Sequence, residues 1–350
     1  MKLSKLTIVV IGAGIIGRKH VDTVLRSEDW RLVGVAEPAD TGREYAERLG
    51  VKWHPGGVEL LDEVKPDAAI IATPTETHRE VALACIERGI PALIEKPIAG
   101  SVEDAAAIVA ASDRAGVPVL VGHHRRYNPI VRCAREMIGE GRLGRLTNAS
   151  VLYTFYKPPE YFEVGWRLGA GGGPILINLI HEVDLIRHLC GEIVSVQALE
   201  SNATRGFGVE DTAAALLRLA NGALVTLNLC DTAVAPWSWD LATNESELFP
   251  PQPAAVHTHF LCGTQGSLTL PTLEYWRYAA HRSWLVPIQR EVVPARGADP
   301  FSEQLRHLGQ VARGEAAPFI PAAEGAATLR ATLAIHKAAR SGETVTLDQE

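Results

Sequence analysis

Gly12-Ala13-Gly14-Ile15-Ile16-Gly17 is a Gly-x-Gly-x-x-Gly run that follows an apolar, β-branched stretch and opens a helical pattern. The three glycines do separate things. Gly12 permits a tight turn, Gly14 presents no side chain to an approaching pyrophosphate, and Gly17 lets the helix lie close against a sheet. The amides at the helix start, around Gly14, Ile15 and Ile16, then face negative phosphates. Glu37 stands twenty residues beyond Gly17 (37 − 17), at the end of the next apolar run. A carboxylate there can hydrogen-bond both ribose hydroxyls and repels a 2′-phosphate. Pro38, not a basic residue, follows it. The pattern points to a dinucleotide, NAD in preference to NADP.

Lys96, in Glu95-Lys96-Pro97, is a second group capable of chemistry. It ends the fourth apolar run, and ligands of open α/β sheets gather at the carboxyl ends of strands. Beside a cationic nicotinamide, in a partly dry pocket, an ammonium is disfavoured and its pKa falls. The amine then becomes a usable proton acceptor for an alcohol or donor to a ketone. Position alone leaves an alternative open, a surface lysine paired with Glu95. His123 and His124 follow the fifth apolar run, so one of them, taken to be His124, is expected to face the same cleft. Arg125 and Arg126 either brace a domain junction or bind substrate oxygens. Tyr153, Tyr156, Trp237 and Trp239 could wall a sugar ring, although aromatics on strands more often pack inward. His181, Glu182 and His188 do not make a metal set, because Glu182 points away on its helix; no metal is expected.

These residues need elements to hold them. Apolar runs at 6–11, 31–36, 67–72, 92–95 and 117–121 alternate with helical patterns at 15–26, 40–49, 76–88 and 101–116. Such repeats predict a doubly wound parallel sheet with helices on both faces, a Rossmann domain over 1–125. Beyond it, 146–156 alternates apolar and polar residues. Asn221-Gly222 marks a hairpin between 212–219 and 223–229, and a second hairpin surrounds 263–266. One strong helix is expected from 173 to 189 and an irregular loop from 233 to 255. The second domain, 126–350, is therefore expected to be α+β, with a large, mostly antiparallel open sheet. Its half-apolar face calls for another subunit, a homodimer or homotetramer.

Composition narrows the class. The 350 residues are 47% hydrophobic and 21% charged, enough to bury a core and too apolar for disorder. Forty-one acids against 34 bases give a formal charge of −7, which speaks against nucleic acid as a partner. No apolar run approaches the roughly 20 residues that cross a bilayer. The basic-then-apolar start runs straight into Gly12 without a cleavage-like site and reads as a buried strand. Five scattered cysteines without a Cys-x-x-Cys pair fit reduced thiols and a cytoplasmic location.

Gly12-x-Gly14-x-x-Gly17, Ala72-Thr73-Pro74-x-x-x-x-His78, Glu95-Lys96-Pro97 and Arg126-Tyr127-Asn128-Pro129 together resemble the Gfo/Idh/MocA oxidoreductases. The resemblance extends through Trp166-Arg167, Gly171-Gly172-Gly173, His181-Glu182-Val183-Asp184-Leu185-Ile186 and Gly263-Thr264-Gln265-Gly266-Ser267-Leu268, so it covers nearly the whole chain. It implies that Lys96 is the catalytic acid/base and that Glu95-Lys96-Pro97 closes on the nicotinamide. It implies that Thr73, Pro74 and His78 line the dinucleotide groove, with Trp166 and Arg167 near the nicotinamide. The family often carries an aspartate four residues before the histidine matching His181; Ile177 stands there in this chain. Lys96 and His181 are then expected to share the proton chemistry. Asn178 would orient a substrate hydroxyl, and Asp184 would touch substrate or brace His181. Tyr153, Arg126 and Arg167 complete the expected substrate contacts. The expected function is an NAD(P)-dependent dehydrogenase for a cyclic polyol or sugar. The alternatives are a dihydrodiol dehydrogenase and a non-catalytic dinucleotide sensor.

Overall fold

The computed structural model describes residues 4–169, 171–243, 245 and 249–347. The chain divides into two compact units, 1–127 with 299–329, and 128–298 with 330–350. The first begins as β1 (Leu6–Ile11), α1 (Ile15–Arg26), β2 (Trp30–Ala36), α2 (Asp40–Leu49), β3 (Lys52–His54) and α3 (Gly57–Val64). It continues through β4 (Ala68–Ile71), α4 (His78–Glu87), β5 (Ala92–Ile94), α5 (Val102–Ala115) and β6 (Val119–Val121). The six strands are parallel, in the order β3-β2-β1-β4-β5-β6. The order reverses between β1 and β4, which opens a crevice at the carboxyl ends of those strands. Strands β1, β4, β5 and β6 are buried along most or all of their length, hence their largely apolar sequence. The short edge pair β3–α3 lies outside the five strands and four helices read from the sequence. Lys52-Trp53-His54 has neither an apolar run nor an alternation long enough to signal a strand.

The second unit holds α6 (Pro129–Gly139), β7 (Leu146–Tyr156), a π turn over Ile175–Leu179, α7 (Ile180–Cys190), β8 (Ile193–Ser201), β9 (Thr212–Leu219) and β10 (Leu224–Cys230). After these come β11 (Thr232–Trp237), α8 (Trp239–Thr243), β12 (His259–Gly263), β13 (Gly266–Leu270), β14 (Glu274–Arg277) and β15 (Gln289–Val292). The sheet runs β15-β14-β13-β12-β7-β10-β9-β8, with β16 (Val345–Thr346) beside β8 and β11 beside β7. It is mixed: among the described residues, only β7 and β10 of this sheet pair in parallel. On β7, Ala149, Val151, Tyr153 and Phe155 turn inward and share one apolar core with Leu179 of the π turn and Val183 and Ile186 of α7. β11 and α8 occupy part of the stretch expected to be irregular. Trp239, fully buried, anchors that segment.

The second unit was expected to run unbroken to the C-terminus, but 299–329 returns to the first. The reason is apolar patterning on the helix that follows β15, α9 (Pro300–Ala312). Leu305, Leu308 and Val311 join a core with Val24, Trp30 and Leu120. Trp30 Nε1 donates to the Leu305 carbonyl at 3.1 Å, and Val121 N donates to the Ile320 carbonyl at 3.0 Å. The last helix spans Ala322–Ser341. No described helix is long and apolar enough to cross a membrane.

Candidate active site

In the first unit the glycine run behaves as its spacing demands. Gly12 has φ +94°, and a Cβ there would lie 2.5 Å from the Ala72 carbonyl oxygen. A Cβ on Gly17 would lie 1.9 Å from the Gly12 carbonyl oxygen. Gly14 is different: a Cβ would meet nothing within 4 Å. Packing therefore explains Gly12 and Gly17 but not Gly14, whose bareness keeps open the space in front of the α1 N-terminus, where phosphate oxygens fit. Ile15, at the start of α1, is exposed on this side and Ile16 half-buried. Glu37, at the end of β2, accepts a hydrogen bond from Ala13 N at 2.8 Å through Oε2. Its carboxylate is thereby held at the mouth of the cradle. These residues fit a dinucleotide.

The loops after β4 and β5 are tied together. His78 Nε2 lies 3.0 Å from the Thr73 carbonyl and Nδ1 lies 2.9 Å from the Pro97 carbonyl. At 1% exposure His78 braces Thr73, Pro74 and Pro97 from behind, rather than lining a groove as expected. Burial lowers its pKa, against the pull of the two carbonyls and Glu95. The Thr77 hydroxyl sits 2.8 Å from Thr73 Oγ1 and fixes the same turn. Glu95 is buried. Its Oε1 lies 2.8 Å from His20 Nε2, and its Oε2 accepts from Lys96 N at 3.1 Å. Burial alone would raise this carboxyl, but His20, then Lys96 and His124, outweigh it and hold the group below the ordinary carboxylate range. Lys96 itself is half-buried at the carboxyl end of β5, in a cis Lys96-Pro97 step. His124 stacks on Phe301 at 4.4 Å between centroids. Arg126 is buried and pairs with Glu324 at 2.9 Å, which gives it a bracing role inside the unit instead of the expected substrate contact.

The second unit gathers a different set. Lys157 Nζ donates to Asn178 Oδ1 at 2.7 Å, and Asn178 Nδ2 donates to the Tyr153 hydroxyl at 3.0 Å. That hydroxyl in turn donates to the Asp240 carboxylate. The series starts at an ammonium and ends at a carboxylate, so the Asn178 amide has one orientation. Tyr153 was expected against substrate; with its ring fully buried it serves this network instead. Lys157, 3% exposed, lies 3.3 Å from Asp231, which Arg205 Nε also approaches at 3.3 Å. Burial lowers the lysine's pKa, with Asp231 opposing. Asn178 stands in the π turn; His181 and Asp184 are buried on α7. Glu182, one residue on from His181, is fully buried and lies 2.8 Å from His259 on β12. Arg167 lies over the Tyr161 ring at 3.9 Å, and Trp166 beside it is 58% exposed. Glu210 Oε1 accepts from Ile175 N at 2.8 Å in the first turn of this helical stretch. Glu200, Glu210 and His336 cluster nearby, and His336 Nδ1 and Arg340 Nε reach Glu200 at 2.8 and 3.3 Å.

Sequence reasoning missed His20, Lys157, Asp231, Arg205, Asp240 and Phe301. His20 carried a weak signal, since it falls three residues after Gly17 on the face of α1 that must meet the sheet. The others acquire partners only through long-range folding, as with Lys157 and Asp231.

Comparison with known proteins accords with this geometry. Residues 6–123 match the GFO_IDH_MocA model, an oxidoreductase family with an NAD-binding Rossmann fold, and residues 131–269 match the GFO/IDH/MocA C-terminal domain. The chain is 29% identical to a 1,5-anhydro-D-fructose reductase of Ensifer adhaerens, over 97% of this chain and 98% of that one. It is 25% identical to a scyllo-inositol 2-dehydrogenase (NAD(+)) of Bacillus subtilis, over 97% and 95%. Among solved structures, the WlbA dehydrogenase of Bordetella pertussis in complex with NADH and UDP-GlcNAcA shares the fold. That match has a TM-score of 0.82 at 24% identity and covers 99% of this chain and 100% of that one.

Proposed function

The chain belongs to the Gfo/Idh/MocA family of NAD-binding oxidoreductases, and from that premise we propose that it interconverts a secondary alcohol of a cyclic polyol or sugar and the matching ketone. Gly12, Gly14 and the α1 N-terminus would hold the pyrophosphate, and Glu37 the adenosine ribose, with discrimination against a 2′-phosphate. The nicotinamide supplies hydride acceptance or donation; the protein positions and tunes. Lys96 is the acid/base: its amine takes the hydroxyl proton on oxidation and returns it on reduction. His181, buried on α7, is the second group assigned to the proton chemistry. Asn178, its amide locked by Lys157 and Tyr153, is an orienting donor for a substrate hydroxyl. The names of the reductase and inositol dehydrogenase relatives support a hydroxylated ring as substrate.

One observation carries this reading. A half-buried lysine stands at the carboxyl end of β5, in the same unit as a glycine cradle whose Gly14 no packing demand explains. Inositols, aldoses, 1,5-anhydro-D-fructose and dihydrodiols should be screened for NADH formation or consumption. With the substrate so found, Lys96→Ala should lower kcat by about 10²–10⁴ while NADH binding stays near wild type. Unchanged turnover in Lys96→Ala removes the lysine from the chemistry.

A further inference from the structure

The helix that begins at the glycine cradle and the turn that carries Lys96 are joined by a buried histidine–carboxylate contact. His20 lies on α1, which begins at the cradle. Its Nε2 is 2.8 Å from Glu95 Oε1, and both side chains are almost wholly inaccessible. The other carboxylate oxygen accepts from the Lys96 amide. Gly122, after β6, makes room for this carboxylate, since a Cβ there would lie 2.9 Å from Glu95 Oε1. Phe301 of α9 closes the site, its ring edge-on to His20 at 5.5 Å between centroids. Titratable groups acting on Glu95 include His20, Lys96 and His124, the last stacked on Phe301, and Lys19 Nζ of α1 is 5.5 Å from the Phe301 centroid.

We propose that His20 is a positioning residue, which acts through Glu95 to fix the backbone at Lys96 and to keep a negative charge beside its amine. A buried carboxylate stays ionised only while it is paired and hydrogen-bonded. Without the His20 donor Glu95 takes up a proton. Its grip on the Lys96 amide weakens and the charge beside the ammonium disappears. The amine then loses its proton at lower pH. The inference rests on Lys96 as the acid/base, but its test does not depend on turnover.

Competitive acetylation of the holoenzyme with acetic anhydride, read by peptide mass spectrometry across pH, reports the titration midpoint of Lys96 against surface lysines such as Lys52 and Lys65. In His20→Leu the Lys96 midpoint should move to lower pH while the reference lysines stay in place. His20→Gln, which keeps a donor, should restore it in part. Glu95→Gln should shift it in the same direction as His20→Leu, and decides the matter if His20→Leu does not fold. An unmoved Lys96 midpoint in a folded variant overturns the proposal. So does a loss of NADH affinity with an unmoved midpoint, which would place His20 in the cofactor cradle. Full turnover in Lys96→Ala would instead defeat the acid/base reading, whatever the labelling shows.

Discussion

Single residues in the cradle separate packing from binding. Gly17→Ala forces a Cβ to 1.9 Å from backbone, so it should damage the first unit outright. Gly14→Ala meets nothing in the protein, and Gly14 already has φ −69°, which alanine adopts easily. Its stability should stay within about 0.5 kcal/mol of wild type. The new methyl group does, however, occupy space reserved for phosphate, so NADH affinity should fall about tenfold or more, roughly 1.4 kcal/mol. Calorimetric titration and thermal melts on the same sample measure both, and equal affinities would end the argument that Gly14 is there for a ligand. Lys157 offers a second contrast. Lys157→Met should cost about 1–3 kcal/mol, at the low end for a buried pair because Arg205 still faces Asp231. The folded-state pKa of Lys157 lies below the ordinary lysine value, so its charge penalises folding at low and neutral pH. That penalty lifts as pH rises from the folded value to the unfolded one, so wild-type stability carries an upward alkaline component. Denaturant titrations between pH 7 and 10 should find that component missing from Lys157→Met. The glycines were legible in the sequence because their spacing is contained within six residues, although Gly12 packs on the distant Ala72. Lys157 was not, because its partner lies between β10 and β11, 74 residues away (231 − 157).

At the scale of elements, the helical stretch from Ile175 to Cys190 shows what periodicity can and cannot give. The helix itself was legible from its apolar spacing. Its phase was not: the stripes 177–181–184 and 178–181–185 assume α geometry, whereas Ile175–Leu179 forms a π turn that carries Asn178 around toward Lys157 and Tyr153. β11 was hidden for a related reason. Pro236 and the two tryptophans mask a strand that pairs with β7 through an irregular register. Glu210 holds the beginning of the stretch, and Gly173 leaves space for its carboxylate. Glu210→Ala should cost about 1–2 kcal/mol through the lost acceptor. Glu210→Gln keeps an acceptor and should fold nearly as well at neutral pH. Burial raises the Glu210 pKa, with His336 opposing, so its charge weighs against folding above the folded value. Wild type recovers that free energy as pH falls from the raised value toward the ordinary one. Over that window wild type should gain stability relative to Glu210→Gln; a constant difference would mean that the carboxyl titrates normally.

For the molecule as a whole, the outer face of the second unit's sheet sets the expectation. The strands β7, β8, β9 and β10 turn one face to the core, while the other presents Leu199 of β8, Leu216 of β9 and Leu224 of β10, each more than 40% exposed. A depression of about 670 Å³ lies on that face, lined in part by Leu152, Leu199, Ala214, Leu216 and Asn228. Alternation alone made this surface visible, since every second residue of 212–219 must point away from the core. An exposed leucine cluster of this kind, interspersed with polar groups such as Thr226, Asn228, Gln197 and Arg218, suits an isologous contact with a second copy of the chain, with about 800 Å² buried per partner. Paired glutamates in Leu199→Glu/Leu216→Glu would confront each other across a two-fold axis and also lose apolar burial. Light scattering at micromolar concentration should therefore report a dimer or tetramer for wild type and a smaller species for the double variant. Neither substitution touches the inward core, so far-UV circular dichroism should not change. A wild-type monomer, or a double variant that assembles as wild type does, would show that this face is not where copies meet.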